Sequence, residues 1–140
     1  METLKDIFVT YDIAVQLKEI GFDEPCIFYY DVFKELMIQT NGTVYWHRKE
    51  SIKIENYNLD VGDVINLKSA PTWEQVKKWF RGKGVVGYLF YFENSDTWVF
   101  HIKDDNGLKE TSDLKYETYE QAREQLILKL IEIYKNEQNI

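Results

Sequence analysis

The sequence predicts an α+β fold: a small single domain over residues 1–140, in which about three helices pack on a mainly antiparallel sheet. Three observations lead to this prediction. The length of 140 residues suits one domain and falls short of two ordinary ones. Three stretches begin with helix-capping threonines and carry apolar residues at helical spacing. The β-rich runs come mostly as neighbouring pairs across turn residues, without the regular strand–helix alternation of a parallel α/β protein.

Each predicted helix starts after a threonine. Thr10 caps the first helix, and Thr72 and Thr118 each form a capping box with the glutamine three residues later. The predicted helices extend from about Tyr11 to Ile20, from Trp73 to the glycines at positions 82 and 84, and from about Tyr119 to Lys135. In the last helix, apolar residues occupy one wide face, and Arg123 is among the charged residues of the opposite, solvated side.

The predicted strands are short and rich in β-branched and aromatic residues. They cover residues 26–30, 35–39, 44–46, 85–92 and 98–103. Asn41-Gly42 and Asn94-Ser95-Asp96 are turn signals between strands, whereas residues 51–67 fit either strand or irregular structure. The run from Tyr88 to Phe92 is apolar at every position. This pattern predicts a central strand covered on both faces, or a strand with one face covered by a partner.

Charge and composition argue against several classes of function. The formal net charge is −7 and the basic residues are dispersed, so we expect no nucleic-acid partner. No apolar run reaches the ~20 residues that span a membrane, and the N-terminus lacks the features of a signal peptide, so the expected location is the cytosol. Cys26 is the single cysteine, which excludes an internal disulfide and a four-thiolate zinc site.

Candidates for catalysis are few. His47 and His101 are the two histidines of the chain. Each could act as a general acid or base beside a carboxylate, and each also fits an ordinary histidine on or near a strand. No spacing typical of metal-ligating histidines surrounds them, so we expect no metal site and no cofactor. Cys26 begins a predicted buried strand and fits a core thiol better than a nucleophile.

Aromatic residues make up 16% of the chain and are its most unusual feature. Tyr and Trp combine a large apolar body with a polar tip, which suits clefts and interfaces. The candidate binding residues are Trp46, Trp73, Trp79, Tyr88, Tyr91, Trp98, His101 and Arg81. Three interpretations stay open: a groove that stacks a base or nucleotide, an aromatic protein interface, and a large aromatic core with tyrosine hydroxyls at its rim.

Two segments carry a resemblance. Residues 70–81 read APTWEQVKKWFR, and residues 116–124 read YETYEQARE. These segments resemble the motifs APTxxQVxxWFR and YETYEQAxE of a group of small uncharacterised proteins from bacteriophages, prophages and Bacteroidetes. Residues 14–22 and 26–30 look similar to that group too, whereas residues 31–67 match none of its features. The resemblance implies a mobile-element protein in a bacterial cytosol, and it transfers no functional residue.

Together these observations predict a non-enzymatic accessory protein that binds a host or phage protein and modulates a host process or defence. One alternative is a nucleotide-like small-molecule binder with an aromatic cleft, for which a homo-oligomer interface is one setting. Another is a hydrolase that uses His101 or His47 with nearby carboxylates. An exposed aromatic patch favours the first function, a concave aromatic pocket the second, and a histidine bonded to a carboxylate in a cleft the third.

Overall fold

A computed structural model describes residues 3–39, 54–59, 66–112 and 114–138. The chain divides into two compact units, Met1–Thr72 and Trp73–Ile140, which we call the N-terminal and the C-terminal unit. The predicted hairpin strand at 44–46, with Trp46, and the neighbouring His47 lie outside the described residues, as does most of the segment 51–67. The interpretation of the chain as a single domain over residues 1–140 stays a prediction.

In its described residues, the N-terminal unit pairs one α-helix with a three-stranded antiparallel sheet. Its elements are a short 3-10 helix (Leu4–Ile7), α1 (Tyr11–Glu19), β1 (Phe28–Tyr30), β2 (Leu36–Ile38) and β3 (Lys68–Ala70), and the strand order is β2-β1-β3. The Thr10 hydroxyl accepts a hydrogen bond from the Ile13 N–H at 3.4 Å, which confirms the predicted cap. Ile13, Ala14 and Leu17 form the buried face of α1, which packs against β3.

Strand β3 has no counterpart in the sequence prediction, because Lys68-Ser69-Ala70 lacks the β-branched and aromatic residues that favour strands. Hydrogen bonds from a distant segment hold it instead. The Ser69 N–H donates to Asn58 Oδ1 at 2.8 Å, and the Ser69 hydroxyl accepts from the Tyr57 N–H at 2.9 Å. Side-chain and backbone bonds across more than ten residues of sequence therefore define this strand.

The C-terminal unit contains two helices and a second three-stranded antiparallel sheet. Its elements are α2 (Trp73–Gly82), β4 (Val86–Phe92), β5 (Thr97–Asp104), β6 (Gly107–Thr111) and α3 (Tyr119–Gln138), and the strand order is β4-β5-β6. The Thr118 hydroxyl accepts from the Gln121 N–H at 3.1 Å while the Gln121 side chain accepts from the Thr118 N–H at 3.3 Å. This pair is the predicted capping box, and it fixes the start of α3.

The α+β class is confirmed: among the described residues, three α-helices accompany strands that pair only in antiparallel fashion. In place of the single predicted sheet, the described residues form two sheets of three strands each. Residue patterns identify strands but carry little information on which strands pair, and pairing decides the number of sheets.

Candidate binding surface

The face of β4 that packs on α3 is set by a glycine. A Cβ atom placed on Gly87 would lie 2.7 Å from a methyl carbon of Leu126, a buried residue of α3, so α3 passes directly over this position. Successive side chains of a strand point to opposite faces. Gly87, Leu89 and Tyr91 therefore face the helix side, and Tyr88, Phe90 and Phe92 face away from it.

The side chains that face away from α3 form an aromatic row. Tyr88 and Phe90 are each 43% exposed, and Phe92 is 47% exposed. The strand is also at the edge of its sheet, so the prediction of a central strand covered on both faces is wrong. An uninterrupted apolar run looks the same whether its second face is covered by the protein's own helices or left open.

The same face carries basic groups. In the β4–β5 register Tyr88 lies opposite His101 and Val86 opposite Lys103, so both β5 residues share the face of Tyr88. The Lys103 ammonium lies 5.7 Å from the Tyr88 ring centroid, and the Lys115 ammonium lies 5.9 Å from that of Phe92. We define the outer aromatic face as Tyr88, Phe90, Phe92, His101, Lys103 and Lys115.

The rings of this face contact one another. The Phe90 ring lies 4.8 Å from the His101 ring and 6.2 Å from the Tyr88 ring, centroid to centroid. These distances are typical of tilted aromatic pairs that stabilise each other while leaving ring surface accessible. In a chain of net charge −7, the face thus combines half-exposed rings with two ammonium groups and an imidazole.

Two of the predicted site residues, Trp73 and Trp79, belong to the core of the C-terminal unit. Each is only 6% exposed. The Trp79 ring packs 5.4 Å from the Tyr134 ring, and the Lys83 ammonium lies 5.0 Å from the Trp79 centroid. The Trp73 ring is covered by the guanidinium of Arg123 at 4.7 Å. Little surface of either indole is left for a ligand.

Tyr91 and Trp98 lie together on the helix side of the sheet. Their ring centroids are 5.0 Å apart, and the Trp98 ring makes an edge contact with Tyr119 at the start of α3 at 5.1 Å. The Tyr91 hydroxyl donates a 2.5 Å hydrogen bond to Asp96 in the hairpin loop, and this bond raises the pKa of Tyr91. These two residues therefore fasten the β4–β5 hairpin beside α3.

The structure thus divides the predicted site. Of the predicted site residues, Tyr88 and His101 share the outer aromatic face. Trp73 and Trp79 are in the core of the C-terminal unit, and Tyr91 and Trp98 are on the face of the sheet that α3 covers. Arg81 is exposed in the last turn of α2.

The sequence prediction did not include four members of the outer aromatic face: Phe90, Phe92, Lys103 and Lys115. The spacing of two residues between positions 88, 90 and 92 could have placed their rings on one face of the strand. Because every residue of this run is apolar, the sequence gives no sign of which face is exposed.

Within the described part of the chain, no hydrogen bond or ion pair joins His101 to a carboxylate. The imidazole ring contacts the ring of Phe90 instead. Groups of three or more metal-ligating side chains are also absent from the described residues. A shallow pocket exists between β6 and α3, where the Lys129 ammonium lies 3.8 Å from Glu110 and 3.2 Å from Glu132. None of the predicted site residues lines that pocket.

Cys26 is a core thiol, as predicted. Its side chain is fully buried, and its Sγ contacts the Glu24 carbonyl oxygen at 3.5 Å. Burial raises the pKa of the thiol to about 12. A buried thiol that keeps its proton is a poor nucleophile, which fits a packing role for Cys26 in the core.

Fold and surface together define an α+β protein with an exposed aromatic and basic sheet face. No family model, no curated protein and no solved structure matches this chain. The resemblance to the phage and Bacteroidetes group therefore stays a prediction. Of the helices within the described residues, none has the length and apolar character needed to cross a bilayer.

Proposed function

We propose that this chain is a non-enzymatic accessory protein that binds a protein partner through the outer aromatic face. The observation that carries the proposal is the row of Tyr88, Phe90 and Phe92, each more than two-fifths exposed on one face of one strand. Contiguous exposed aromatic rings are costly to leave in water and commonly mark protein interfaces.

Energetics support a protein partner. Covering the exposed part of one such ring contributes about 1 kcal/mol from apolar area alone. Three rings held on a paired strand lose little conformational freedom on binding, because their backbone is already fixed by the β4–β5 ladder. Side chains two apart on a strand are spaced about 7 Å, a separation that matches alternate side chains of another protein surface.

Charge indicates the chemistry of the partner. Lys103 stands beside Tyr88, and Lys115 stands beside Phe92, so an ammonium group accompanies each end of the row. A complementary surface presents apolar side chains in its middle and carboxylates at its ends. Binding should weaken as salt rises, because charges at the rim of an interface are screened over about 8 Å at physiological ionic strength.

The resemblance in residues 70–81 and 116–124 supports the finer part of the proposal: an accessory protein of phage or prophage origin, active in the host cytosol and modulating a host process or defence. A nucleotide-like ligand has less support, because Trp73 and Trp79 are buried. A hydrolase also has less support, because the His101 imidazole packs against the Phe90 ring and bonds no carboxylate among the described residues.

A matched pair of variants tests the surface. Phe90→Ser removes the central ring of the row, and Phe33→Ser removes an even more exposed ring, 80% accessible, from a turn of the N-terminal unit. Tagged wild-type and variant proteins are incubated with a bacterial cytosolic extract, and retained proteins are quantified by mass spectrometry. Urea unfolding of each variant checks that its fold is unchanged.

We expect a protein that is retained by the wild type and by Phe33→Ser, and that is lost with Phe90→Ser. Replacing Lys103 and Lys115 by Gln should reduce its retention at low salt more than at high salt. Equal retention by both Phe→Ser variants would contradict the proposal. Retention of a nucleotide or other small molecule in place of a protein would favour the ligand-binding alternative.

A further inference from the structure

The peptide groups of β5 show which way those of β4 point. Trp98 exchanges two backbone hydrogen bonds with Tyr116, at 2.7 and 2.8 Å, and the Phe100 carbonyl accepts from the Ser112 N–H at 2.9 Å. These groups lie on the edge of β5 away from β4. Because peptide groups alternate along an antiparallel strand, the odd-numbered residues of β5 are the ones that bond β4.

This alternation leaves the peptide groups of three of the seven β4 residues without a hydrogen-bond partner among the described residues. The odd-numbered β5 residues lie opposite Val86, Tyr88, Phe90 and Phe92, which therefore direct their N–H and C=O groups to β5. The peptide groups of Gly87, Leu89 and Tyr91 point the opposite way, to the outer edge of the sheet. No backbone hydrogen bond from any described residue reaches that edge.

The edge lacks the features that block strand addition. Sheet edges are commonly protected by charged side chains, proline or a β-bulge. The seven residues of β4 contain no charge and no proline, and the bulge of this sheet falls between β5 and β6. An exposed apolar edge of this length is a template for another strand.

We infer that β4 pairs in antiparallel fashion with β4 of a second copy of this chain, centred on Leu89. In this register the free peptide groups of Gly87, Leu89 and Tyr91 face those of Tyr91, Leu89 and Gly87 of the second copy. Each N–H and each C=O then has a partner, which gives about six backbone hydrogen bonds across the twofold axis.

The side chains of β4 favour its own copy as the occupant. Leu89 lies opposite Leu89 of the second copy, so two apolar side chains meet at the twofold axis. Tyr88 lies opposite Phe90 of the second copy, an aromatic cross-strand pair that is favourable in sheets. The two outer aromatic faces then form one continuous surface on a six-stranded sheet.

Charge at the strand ends agrees with the same register. The hairpin loop after β4 carries Glu93 and Asp96, and the residue Lys83 stands just before β4. Antiparallel pairing centred on Leu89 brings the acidic loop of one copy toward the lysine of the other. The hydrogen bonds of this pairing come from backbone groups of the odd-numbered residues, and the pairing leaves the outer faces of the even-numbered side chains open to the proposed protein partner.

The first test removes one edge N–H. The Tyr91 N–H points away from β5, so Tyr91→Pro leaves the β4–β5 hydrogen bonds in place while removing a donor from the edge. Tyr91→Thr is the matched control, because it also loses the ring but keeps the N–H. Sedimentation equilibrium of the full chain should give a dimer for the wild type and for Tyr91→Thr, and a dissociation constant at least about tenfold larger for Tyr91→Pro.

The second test reads the register. Tyr88→Cys and Phe90→Cys proteins are mixed and oxidised, since these positions face each other across the twofold axis at a separation a disulfide can span. The mixture should form the heterodisulfide, and either variant alone should form far less. The buried Cys26 does not compete. A monomeric wild type, a dimer unaffected by Tyr91→Pro, or equal cross-linking in all samples would each overturn the inference.

Discussion

The guanidinium carbon of Arg123 lies 4.7 Å from the ring centroid of Trp73 and 5.4 Å from that of Tyr119. Arg123 is only 8% exposed, so its predicted place on the solvated side of the last helix is wrong. A planar, weakly hydrated guanidinium stacks on aromatic faces and can be buried between them. Arg123 therefore covers the Trp73 ring within the C-terminal unit, and little of that ring is left to contact a ligand.

We expect Arg123→Lys to lower the free energy of unfolding by about 1–2 kcal/mol, because a compact ammonium group cannot stack on two rings and costs more to dehydrate. Arg81→Lys is the control, since Arg81 is exposed at the end of α2 and should change stability by less than about 0.5 kcal/mol. Urea unfolding measures both. Equal effects at the two positions would show that the stacking contributes nothing.

Glycine substitutions should have opposite signs at two positions. Gly87→Ala adds a methyl group against Leu126 in the packed core and should cost about 1–3 kcal/mol. Gly82→Ala places a methyl group in open space at the end of α2, where alanine favours the helix by up to about 1 kcal/mol. Thermal or urea unfolding tests the pair. A neutral Gly87→Ala would mean that Leu126 moves aside freely.

The capping box of α3 predicts a graded series. Thr118→Ala removes the hydroxyl that accepts from the Gln121 N–H and should lower the free energy of unfolding by about 1 kcal/mol. Thr118→Ser keeps the hydroxyl and should restore most of that loss. Denaturant titration of the three proteins is the measurement. If Ser and Ala destabilise the chain equally, the methyl group of Thr118 and not its hydroxyl is responsible.

Alkaline pH should destabilise the fold through Cys26. The ordinary pKa of the thiol is 9.0 and burial raises it to about 12 in the folded chain. Between these values the unfolded chain binds fewer protons than the folded chain, so the free energy of unfolding falls as pH rises. The contribution of the protonated thiol to the free energy of unfolding is fully present below pH 9.0 and is lost toward pH 12. Over that range the free energy of unfolding falls by on the order of 1 kcal/mol per pH unit.

Cys26→Ala provides the control for that pH dependence. Burial also raises the pKa of Tyr30, Tyr57 and Tyr116, but tyrosine titrates from an ordinary value of 10.0. The variant should therefore show a shallower loss of stability between pH 9 and 10 than the wild type. Parallel curves for the two proteins over that interval would contradict the role assigned to the thiol.

The sequence by itself determined the helices and the class of the fold. The caps at Thr10 and Thr118 are interactions between residues three apart, and the apolar faces repeat within one or two turns. Short strands flanked by turn residues likewise indicated antiparallel pairing. All these signals are local, so they act in the same way whatever the rest of the chain does.

The tertiary structure alone decided which face of β4 is exposed, which strands share a sheet, and which aromatic rings are near one another. Gly87 meets Leu126, 39 positions later in the 140-residue chain, and this contact places α3 on one side of β4 and leaves Phe90 on the other. Within a run that is apolar at every position, periodicity cannot distinguish the two faces. Only the burial of one face by a distant helix makes them different.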